Sequence, residues 1–496
     1  MVHHLQNTDV LPASPYHPSA AGLLTDLLRS TDYSGPDVAE SAACYPPTFF
    51  QRSLGRLFER RSVALAHEWI AWPFAGSERV FQAMERLFAF VDHDTLVLED
   101  QRAADARATD IPPTAQLERS FLDQGPFRRL SRKLQLPLMP LAWSRTGADY
   151  YDIAIVSSHA MANRVAGRAA NSIVYTHTPM RYAWLPEVDG RAAGALTTAA
   201  LPVMRHLDKR AAQQVDTFVA NSTEVAARIE RFYRQPASVV APPVDTSFFT
   251  PRPSVPHPLA TPTPTEPFLV TAGRLVSYKR HDLAIALAHH VGMPIAVVGT
   301  GPEEPALREL AERLGAHAIF WPNLDNYQLR HVLRHAAALV HLGIEDFGIL
   351  PVQAMACGTP VLTSGRGGAL DYQWPNACEG IATSSSTDRV NGLERLLAHR
   401  LSPHQISEYA QRFSYQQFYE NFYRTILTTV GEKAPEIWLS PASKKGPCTS
   451  RERPTLPPMP PEDYRLTPGA GRHAIDRAAP PTAPHRPDLR LITTRR

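Results

Sequence analysis

The stretch 341–364 (HLGIEDFGILPVQAMACGTPVLTS) constrains the fold of this chain more than any other part of the sequence. The apolar run that ends at His341 predicts a buried strand. A short loop with Glu345 and Asp346 follows, and the next segment predicts a helix with Pro351 in its first turn and one buried face. A glycine ends this helix, and a second apolar run predicts the next strand. Strand, loop, helix and strand in this order are typical of a doubly wound α/β domain.

The same stretch also indicates what could bind there. The start of a helix presents free backbone N–H groups and a partial positive charge, which suit a phosphate group. The carboxylates of Glu345 and Asp346 lie next to this helix start in the sequence and can accept hydrogen bonds from hydroxyl groups. The stretch therefore predicts a site for a phosphorylated molecule rich in hydroxyl groups. The alternative is a helix surface beside an incidental acidic loop.

The pattern E-D-F-G-I-x-P-V-Q-A that begins at Glu345 resembles the signature of retaining GT-B glycosyltransferases of family 4, especially their mannosyltransferase-like branch. That signature has two glutamates separated by seven residues, and here the second position is Gln353. The resemblance implies that Glu345 holds hydroxyls of the donor sugar and that Gln353 holds the nucleotide ribose. It also implies that the backbone at Phe347, Gly348 and Ile349 donates to the pyrophosphate. Because Gln353 lacks charge, we expect the change to affect nucleotide affinity more than the chemistry.

A second motif starts in the strand predicted from residue 63, which ends H-E-W and is followed by A-G-S-E. It resembles the first motif of the same family, which usually has H-D-W and a pair of glycines. Only Gly76 of that pair is present. The resemblance implies that Gly76 lets the backbone approach the donor phosphate or the acceptor, whereas an ordinary strand-to-helix turn would also favour glycine.

The run H-T-P-M-R-Y begins at His177, directly after a predicted strand. Ligands of open α/β sheets bind outside the carboxyl ends of the strands, so His177 is placed for binding. The run resembles the donor-facing histidine segment of the family. The resemblance implies that His177 contacts the sugar near C6 and that Arg181 and Tyr182 shape the acceptor side. A lone histidine is more often structural.

The second half of the chain repeats the strand-and-loop arrangement at Gly273, Arg274 and Lys279. A pyrophosphate leaving group carries charge that a guanidinium and an ammonium can neutralise without a metal. The spacing Gly-Arg-x4-Lys also matches an element of the same family. We therefore expect Arg274 and Lys279 to stabilise the pyrophosphate next to Gly273. The sequence has no Asp-x-Asp metal motif in a suitable place, so neither a metal nor a cofactor is expected.

Composition and the pattern of the chain predict two domains with flexible extensions. The predicted parts are listed here: 1–61, an N-terminal extension that is mostly disordered; 62–249, an acceptor-side Rossmann-like domain; 250–266, a proline-rich linker; 267–430, a nucleotide-sugar-binding domain with a closing helix; and 431–496, a disordered basic tail. The chain has a net charge of +3, and its tail alone is basic, so a nucleic-acid-binding body is not expected. The four cysteines are far apart, and the N-terminus lacks a signal-peptide pattern, so we expect a cytoplasmic protein.

Two segments mix basic and apolar side chains. Residues 48–61 predict an amphipathic helix that either lies at the inner face of a membrane or packs on the following domain. Residues 126–145 predict either a surface that faces a lipid-linked acceptor, as the resemblance implies, or a core helix with a solvated basic face. The sequence alone leaves both alternatives open.

The resemblance covers roughly residues 62–430 and implies the GT-B fold, an α/β architecture of two doubly wound Rossmann-like domains that face a central cleft. It implies transfer of a hexose from a nucleoside-diphosphate sugar, GDP-mannose or a UDP-hexose, to a hydroxyl of a saccharide, a lipid-linked acceptor or a small molecule, with retained configuration. Two alternatives stay open. The first is a non-catalytic GT-B domain that binds sugar nucleotide or a partner transferase, and the second is a nucleotide-sugar 2-epimerase.

Overall fold

A computed structural model describes residues 44–71, 75–102, 112–185, 195–251, 264, 266–381, 385–398 and 401–431. Most of the predicted N-terminal extension, the centre of the predicted proline-rich linker and the predicted basic tail lie outside these residues.

A seven-stranded sheet forms the first half of the described chain. All its neighbouring strands are parallel, and their order is β3-β2-β1-β4-β5-β6-β7. The strands are β1 (Val63–Ile70), β2 (His93–Asp100), β3 (Ala115–Arg119), β4 (Tyr151–Ser158), β5 (Ala169–Thr176), β6 (Thr217–Ala220) and β7 (Ala237–Val239). The register places His67 opposite Ser157, and Ser157 opposite Tyr175, near the carboxyl ends of β1, β4 and β5.

A second, six-stranded parallel sheet has the order β10-β9-β8-β11-β12-β13. Its strands are β8 (Leu269–Ala272), β9 (Ile295–Val298), β10 (Ala318–Trp321), β11 (Ala338–His341), β12 (Val361–Thr363) and β13 (Cys378–Gly380). The predicted α/β architecture with two doubly wound domains is confirmed.

Fourteen α-helices among the described residues cover and connect these sheets. They are α1 (Thr48–Leu57), α2 (Gly76–Leu87), α3 (Arg132–Gln135), α4 (Met139–Trp143), α5 (Arg181–Trp184), α6 (Ala195–Ala212), α7 (Thr223–Tyr233), α8 (His281–His290), α9 (Glu304–Leu314), α10 (Asn326–His335), α11 (Ile349–Ala356), α12 (Ser386–Ala398), α13 (Pro403–Ala410) and α14 (Tyr415–Thr429). Helix α7 begins after Ser222, because the Ser222 hydroxyl accepts a hydrogen bond from the N–H of Val225.

The first sheet buries both faces, as its near-continuous apolar strands predict. Along β1, Ala64 and Ala66 belong to one core, whereas Val63 and Leu65 belong to the other. This alternation follows from the two-residue period of a strand. Side chains of α4, α6 and α7 pack in the first core, and those of α1, α2 and α14 pack in the second.

The second sheet is organised in the same way. Phe268 and Val270 face a core with α10, α11 and α13, whereas Leu269 faces a core with α8, α9 and α12. Since α11 packs against the sheet, its first turn is held in place at the carboxyl end of β11. This placement fixes the loop that carries Glu345.

Helix α14 follows the second domain in sequence but packs on the first. Phe418, Tyr419 and Phe422 are buried in the same core as strands β1 and β5. The two chain crossings between the domains run side by side, since the N–H of Val244 donates to the carbonyl of Phe413 at 2.8 Å. Helix α14 therefore leads from the second domain back to the first.

The basic amphipathic segment at 48–61 packs on the first domain. Its helix α1 buries Phe50 and Leu54, and the ring of Phe50 lies 4.8 Å from that of Tyr423 on α14. The side chains of Arg52 and Arg56 are exposed on the other face. Of the two interpretations left open, the structure supports packing on the following domain.

The segment 126–145 forms short turns instead of the single core helix considered above. Two 3₁₀ turns alternate with α3 and α4, and Pro137 and Pro140 each lie at the start of a turn because proline lacks the N–H that a continuing helix needs. Trp143 is buried in the core, and Arg128 and Arg129 are exposed. The mixture of apolar and basic side chains thus reflects burial on one side and solvent on the other. Among the helices of the described residues, none is both long and apolar enough to cross a bilayer.

Candidate functional site

The predicted phosphate-binding helix start is formed by the loop between β11 and α11. Gly348 is the residue before the helix and has φ 90°, a conformation that favours glycine. Because Gly348 has no side chain, it cannot cap the helix with a side-chain hydrogen bond. Pro351 in the first turn has no N–H. No side chain caps the N–H groups at the start of α11, and such groups can bind an anion.

Lys279 and Glu345 meet beside this helix start. The Nζ atom of Lys279 lies 2.6 Å from Oε1 of Glu345, and Nε2 of the buried His341 lies 3.5 Å from the same oxygen. The two side chains of the ion pair are 16% and 21% exposed, so water can still reach them. Two motifs that are 66 positions apart in the sequence thus form one charged centre.

Burial and the ion pair act in opposite directions on both groups. Burial alone would raise the pKa of Glu345, but Lys279 and His341 lower it far below its usual value. Burial would lower the pKa of Lys279, yet the carboxylate of Glu345 raises it above its usual value. The site therefore holds a carboxylate and an ammonium that stay ionised throughout the neutral pH range.

Gly273 and Arg274 lie at the carboxyl end of β8. A side chain at Gly273 would meet Nζ of Lys279 at 2.9 Å, so this glycine borders the ion pair directly. The side chain of Arg274 is exposed and makes no hydrogen bond or ion pair with the described residues. The structure thus brings Gly273, Lys279 and Glu345 together, while Arg274 is free to contact a ligand.

Gly76 lies across the cleft from the start of α11. It is the first residue of α2, and a Cβ atom at this position would lie 3.1 Å from Cδ1 of Ile349. Gly76 of the first domain therefore lies next to Ile349 of the second domain, at the start of α11.

Three further residues expected at the site, two on the donor side and Tyr182 on the acceptor side, occupy different environments. Phe347 is buried in the second-domain core against Tyr372 and Phe413, so only its backbone can take part in binding. Gln353 is half-buried on α11, and its side chain makes no hydrogen bond with the described residues. Tyr182 is 4% exposed and belongs to the first-domain core, which makes it a packing residue in this structure.

His177 lies at the carboxyl end of β5 and is half-buried. Its Nε2 lies 2.8 Å from Oγ of Ser157, and its carbonyl accepts a hydrogen bond from Nδ2 of Asn221. Burial first, and the neighbouring His67 and His159 second, hold the pKa of His177 well below its usual value. The imidazole is therefore neutral at pH 7, so it can form hydrogen bonds but not ion pairs.

Arg181 joins the two domains. Its guanidinium donates to Oδ2 of Asp346 in the central loop, and Nη1 of Arg228 donates to Oδ1 of the same carboxylate at 2.5 Å. Arg228 also donates from Nε to Glu224 at 2.9 Å. A second link between the domains is the Asp371 carboxylate, which accepts from the N–H of Thr223 at 2.7 Å. These bonds therefore link the two domains directly.

A cluster at the carboxyl ends of β1 and β4 was not among the residues expected from the sequence. Glu68 is fully buried, and its Oε1 accepts from the Ser158 hydroxyl and the N–H groups of Ala160 and Ala162 at 2.8–2.9 Å. Nδ1 of His159 lies 3.2 Å from Oε2 of Glu68. Burial would raise the pKa of Glu68, but His159 and these hydrogen bonds lower it below its usual value.

His67 completes this cluster, which we call the His67–Glu68–His159 cluster. One donor atom from each of the three residues lies within 4.8 Å of the other two, so these residues could hold a metal ion. The ring of His177 lies 6.2 Å from each of the two other histidine rings. The sequence signal for this cluster was a charged residue inside an apolar strand, Glu68, which is uncommon unless the charge is paired.

Comparisons with known proteins agree with this architecture. Residues 260–413 match the family model Glycosyl transferases group 1. A D-inositol 3-phosphate glycosyltransferase of Nocardia farcinica is 30% identical over 299 residues, which are 53% of this chain and 64% of that protein. A GDP-mannose-dependent alpha-(1-6)-phosphatidylinositol monomannoside mannosyltransferase of Mycobacterium tuberculosis is 27% identical over 209 residues, which are 38% of this chain and 54% of that protein. The chain therefore spans less than two thirds of each of these curated relatives.

Solved structures agree at the level of the fold. Sucrose-phosphate synthase from Thermosynechococcus elongatus superposes with a TM-score of 0.57 at 18% identity, over 74% of this chain and 100% of that chain. At this identity the likeness concerns the fold alone. We conclude that the chain has the GT-B fold and that its residues 260–413 match the glycosyl transferases of group 1.

Proposed function

We propose that this protein is a retaining hexosyltransferase that moves a sugar from a nucleoside-diphosphate sugar to an acceptor hydroxyl. The observation that carries the proposal is the ion pair of Lys279 and Glu345 at the start of α11. It places a cation for a pyrophosphate and a carboxylate for sugar hydroxyls next to free backbone N–H groups. The match of residues 260–413 to the glycosyl transferases of group 1 supports the same reaction class.

In the proposed complex, Lys279 and Arg274 hold the pyrophosphate, and the first turn of α11 donates backbone N–H groups to it. Glu345 accepts hydrogen bonds from the sugar hydroxyls and stays ionised because of Lys279 and His341. His177 binds the sugar near C6 as a neutral imidazole. Because Nε2 of His177 is hydrogen-bonded to Oγ of Ser157, Nδ1 is the nitrogen available to a sugar hydroxyl.

The proposed transfer takes place on one face of the sugar. The bond from the anomeric carbon to the β-phosphate oxygen breaks as the bond to the acceptor oxygen forms on the same side. The proton of the acceptor hydroxyl passes to the departing phosphate oxygen, so no protein base is needed. The cations Lys279 and Arg274 stabilise the negative charge that develops on the pyrophosphate.

For the donor we propose GDP-mannose, with a UDP-hexose as the alternative. The relative from Mycobacterium tuberculosis is named as GDP-mannose-dependent, and the sequence resemblance to the mannosyltransferase-like branch agrees with it. The named acceptors of the two relatives are an inositol phosphate and a phosphatidylinositol mannoside. We therefore propose a polyhydroxylated acceptor, free or lipid-linked, in glycan or glycolipid biosynthesis.

Thermal unfolding of the full-length protein with GDP, UDP, ADP and dTDP tests the donor part of the proposal. A nucleotide at 100 times its dissociation constant adds about 2.7 kcal/mol to the free energy of unfolding. We expect stabilisation by GDP, followed by slow release of GDP from GDP-mannose in the absence of an acceptor.

Two outcomes would contradict the proposal. Binding of a nucleotide without release from any nucleotide sugar would favour a non-catalytic sugar-nucleotide-binding protein. The absence of any stabilisation, with protein that unfolds cooperatively, would mean that Gln353 disables the nucleotide site.

A further inference from the structure

The His67–Glu68–His159 cluster lies on the first domain and is not used by the donor chemistry proposed above. Its residues come from the carboxyl ends of two adjacent strands, where the parallel register brings His67 opposite Ser157. His67 and Glu68 are fully buried, and the side chain of His159 is 19% exposed. His67 and Glu68 thus form the buried part of the cluster, and His159 lies at its edge.

The unsatisfied nitrogen of His67 is the first observation that indicates a ligand. Nδ1 of His67 lies 3.0 Å from the carbonyl of Ser157, and a carbonyl can only accept, so this nitrogen carries the proton. Nε2 therefore has a free lone pair. It is buried and has no hydrogen-bond partner among the described residues. A histidine that binds a metal typically donates its other N–H to a carbonyl in this way, which fixes the tautomer.

The carboxylate of Glu68 is the second observation. Its Oε1 accepts hydrogen bonds from the Ser158 hydroxyl and from the N–H groups of His159, Ala160 and Ala162. Its Oε2 accepts a single one, from the N–H of His159 at 3.2 Å, and lies 3.2 Å from Nδ1 of the same residue. The cluster therefore brings a carboxylate oxygen with spare acceptor capacity next to two imidazoles.

The distances are the third observation. Two ligands at about 2.0–2.1 Å from a tetrahedral zinc ion are roughly 3.3 Å apart. Nδ1 of His159 and Oε2 of Glu68 already have this separation, at 3.2 Å. The donor atoms of all three residues lie within 4.8 Å, so the site must contract a little to close around an ion. We expect the side chain of His159 to move towards the ion, since it is the only one of the three with exposed surface.

We propose that His67, Glu68 and His159 form a binding site for a divalent transition-metal ion, with Zn²⁺ as the preferred ion. Two imidazoles and one carboxylate are a donor set that zinc accepts, and magnesium, which requires oxygen ligands, does not suit it. Three protein ligands leave the fourth position of the tetrahedron for a water molecule. The site binds its ion on the first domain, apart from Lys279 and Glu345, and does not depend on the proposed sugar transfer.

The test is titration of the full-length, chelator-treated protein with Zn²⁺ by calorimetry, and with Co²⁺ by visible absorption. We expect one tight site per chain and the absorption of a tetrahedral Co²⁺ complex. His159→Gln and Glu68→Gln each remove one of the three ligands. Each should weaken this site by at least the roughly 10- to 100-fold that loss of an outer-shell partner of a metal ligand costs.

The matched control is His335→Gln. His331 and His335 lie one helical turn apart on α10, with ring centroids 4.2 Å apart, and such a surface pair can bind metal weakly by itself. The control should leave the tight site unchanged. Absence of tight Zn²⁺ binding, or tight binding that survives His159→Gln but not His335→Gln, would overturn the proposal. Glu68→Gln keeps the shape of the buried side chain, so thermal unfolding of this variant separates loss of metal from loss of fold.

Discussion

Replacement of Lys279 by alanine gives the most direct test of the charged centre. At the 2.6 Å that separates Nζ from Glu345, two unit charges attract by about 6 kcal/mol if the effective dielectric constant is about 20. When Lys279 binds a pyrophosphate, the cost of removing its ammonium from water offsets part of the electrostatic attraction. Removal of one such transition-state donor typically costs about 3 kcal/mol, which corresponds to roughly a hundredfold in turnover.

The same variant changes the pH dependence in a predictable direction. In the wild-type protein Lys279 helps to keep the pKa of Glu345 below its usual value, whereas burial acts to raise it. Lys279 is the strongest of the groups that lower the pKa of Glu345, so this pKa rises when the ammonium is removed. Because the proposed mechanism needs the carboxylate ionised, the variant should lose activity at a higher pH than the wild type as the pH falls.

The assay is the initial rate of nucleoside-diphosphate release from the donor sugar between acidic and neutral pH. Lys279→Arg keeps the charge and should retain more activity than Lys279→Ala. Lys209→Ala removes an exposed lysine from α6 and serves as the matched control, which should behave as the wild type. Unchanged turnover and an unchanged acid limb in Lys279→Ala would refute the assignment of this residue to the pyrophosphate.

Four further variants test other parts of the structure. Arg274→Ala should lower turnover by roughly a hundredfold without a change in thermal unfolding, because the guanidinium is exposed and its proposed partner is the pyrophosphate. Asp346→Asn should lower the free energy of unfolding by about 2 kcal/mol, as measured by urea denaturation, since two arginines lose a charged partner. Gln353→Glu should preserve turnover and nucleotide binding in the thermal assay, because a carboxylate also accepts from ribose hydroxyls. Deletion of 440–496 should leave turnover and unfolding unchanged, because α14 ends before the deletion.

Each of these expectations has a result that would contradict it. Full activity of Arg274→Ala would exclude its proposed role, and a wild-type urea midpoint for Asp346→Asn would mean that the link between the domains contributes little. Loss of nucleotide binding in Gln353→Glu would count against the ribose contact. An aggregated product after the deletion would show that the tail belongs to the folded protein.

The sequence predicted the strands with continuous apolar runs and the helices that follow them. It missed β3, where the pattern AQLER is mostly exposed because the strand lies at the edge of the sheet, and it missed β13, which has only three residues. It also missed α6, in which Pro202 interrupts the usual helical signal. These elements form because of tertiary contacts rather than because of the secondary-structure propensity of the local sequence.

Only part of the candidate site could be predicted from the sequence, because some of its contacts also depend on the tertiary structure. Lys279 and Glu345 belong to motifs with fixed spacing, so their approach could be expected. Arg228 could not, because its spacing of four from Glu224 on α7 is also typical of a solvated helix surface. Only the packing of the two domains places this arginine on Asp346. The pairing of Glu68 with His159 likewise depends on the register of two strands that are about 90 positions apart.

The position of α14 has a consequence for how this protein is made on the ribosome. The first sheet is complete in the nascent chain soon after residue 239, but one of its two cores also needs Phe418, Tyr419 and Phe422 of α14. While the second domain is being synthesised, only α1 and α2 cover this face of the first domain, and the surface that α14 will cover is exposed. This core of the first domain is complete only after α14 has been synthesised. A chain released from a ribosome that stalls within the second domain therefore exposes apolar surface and needs a chaperone.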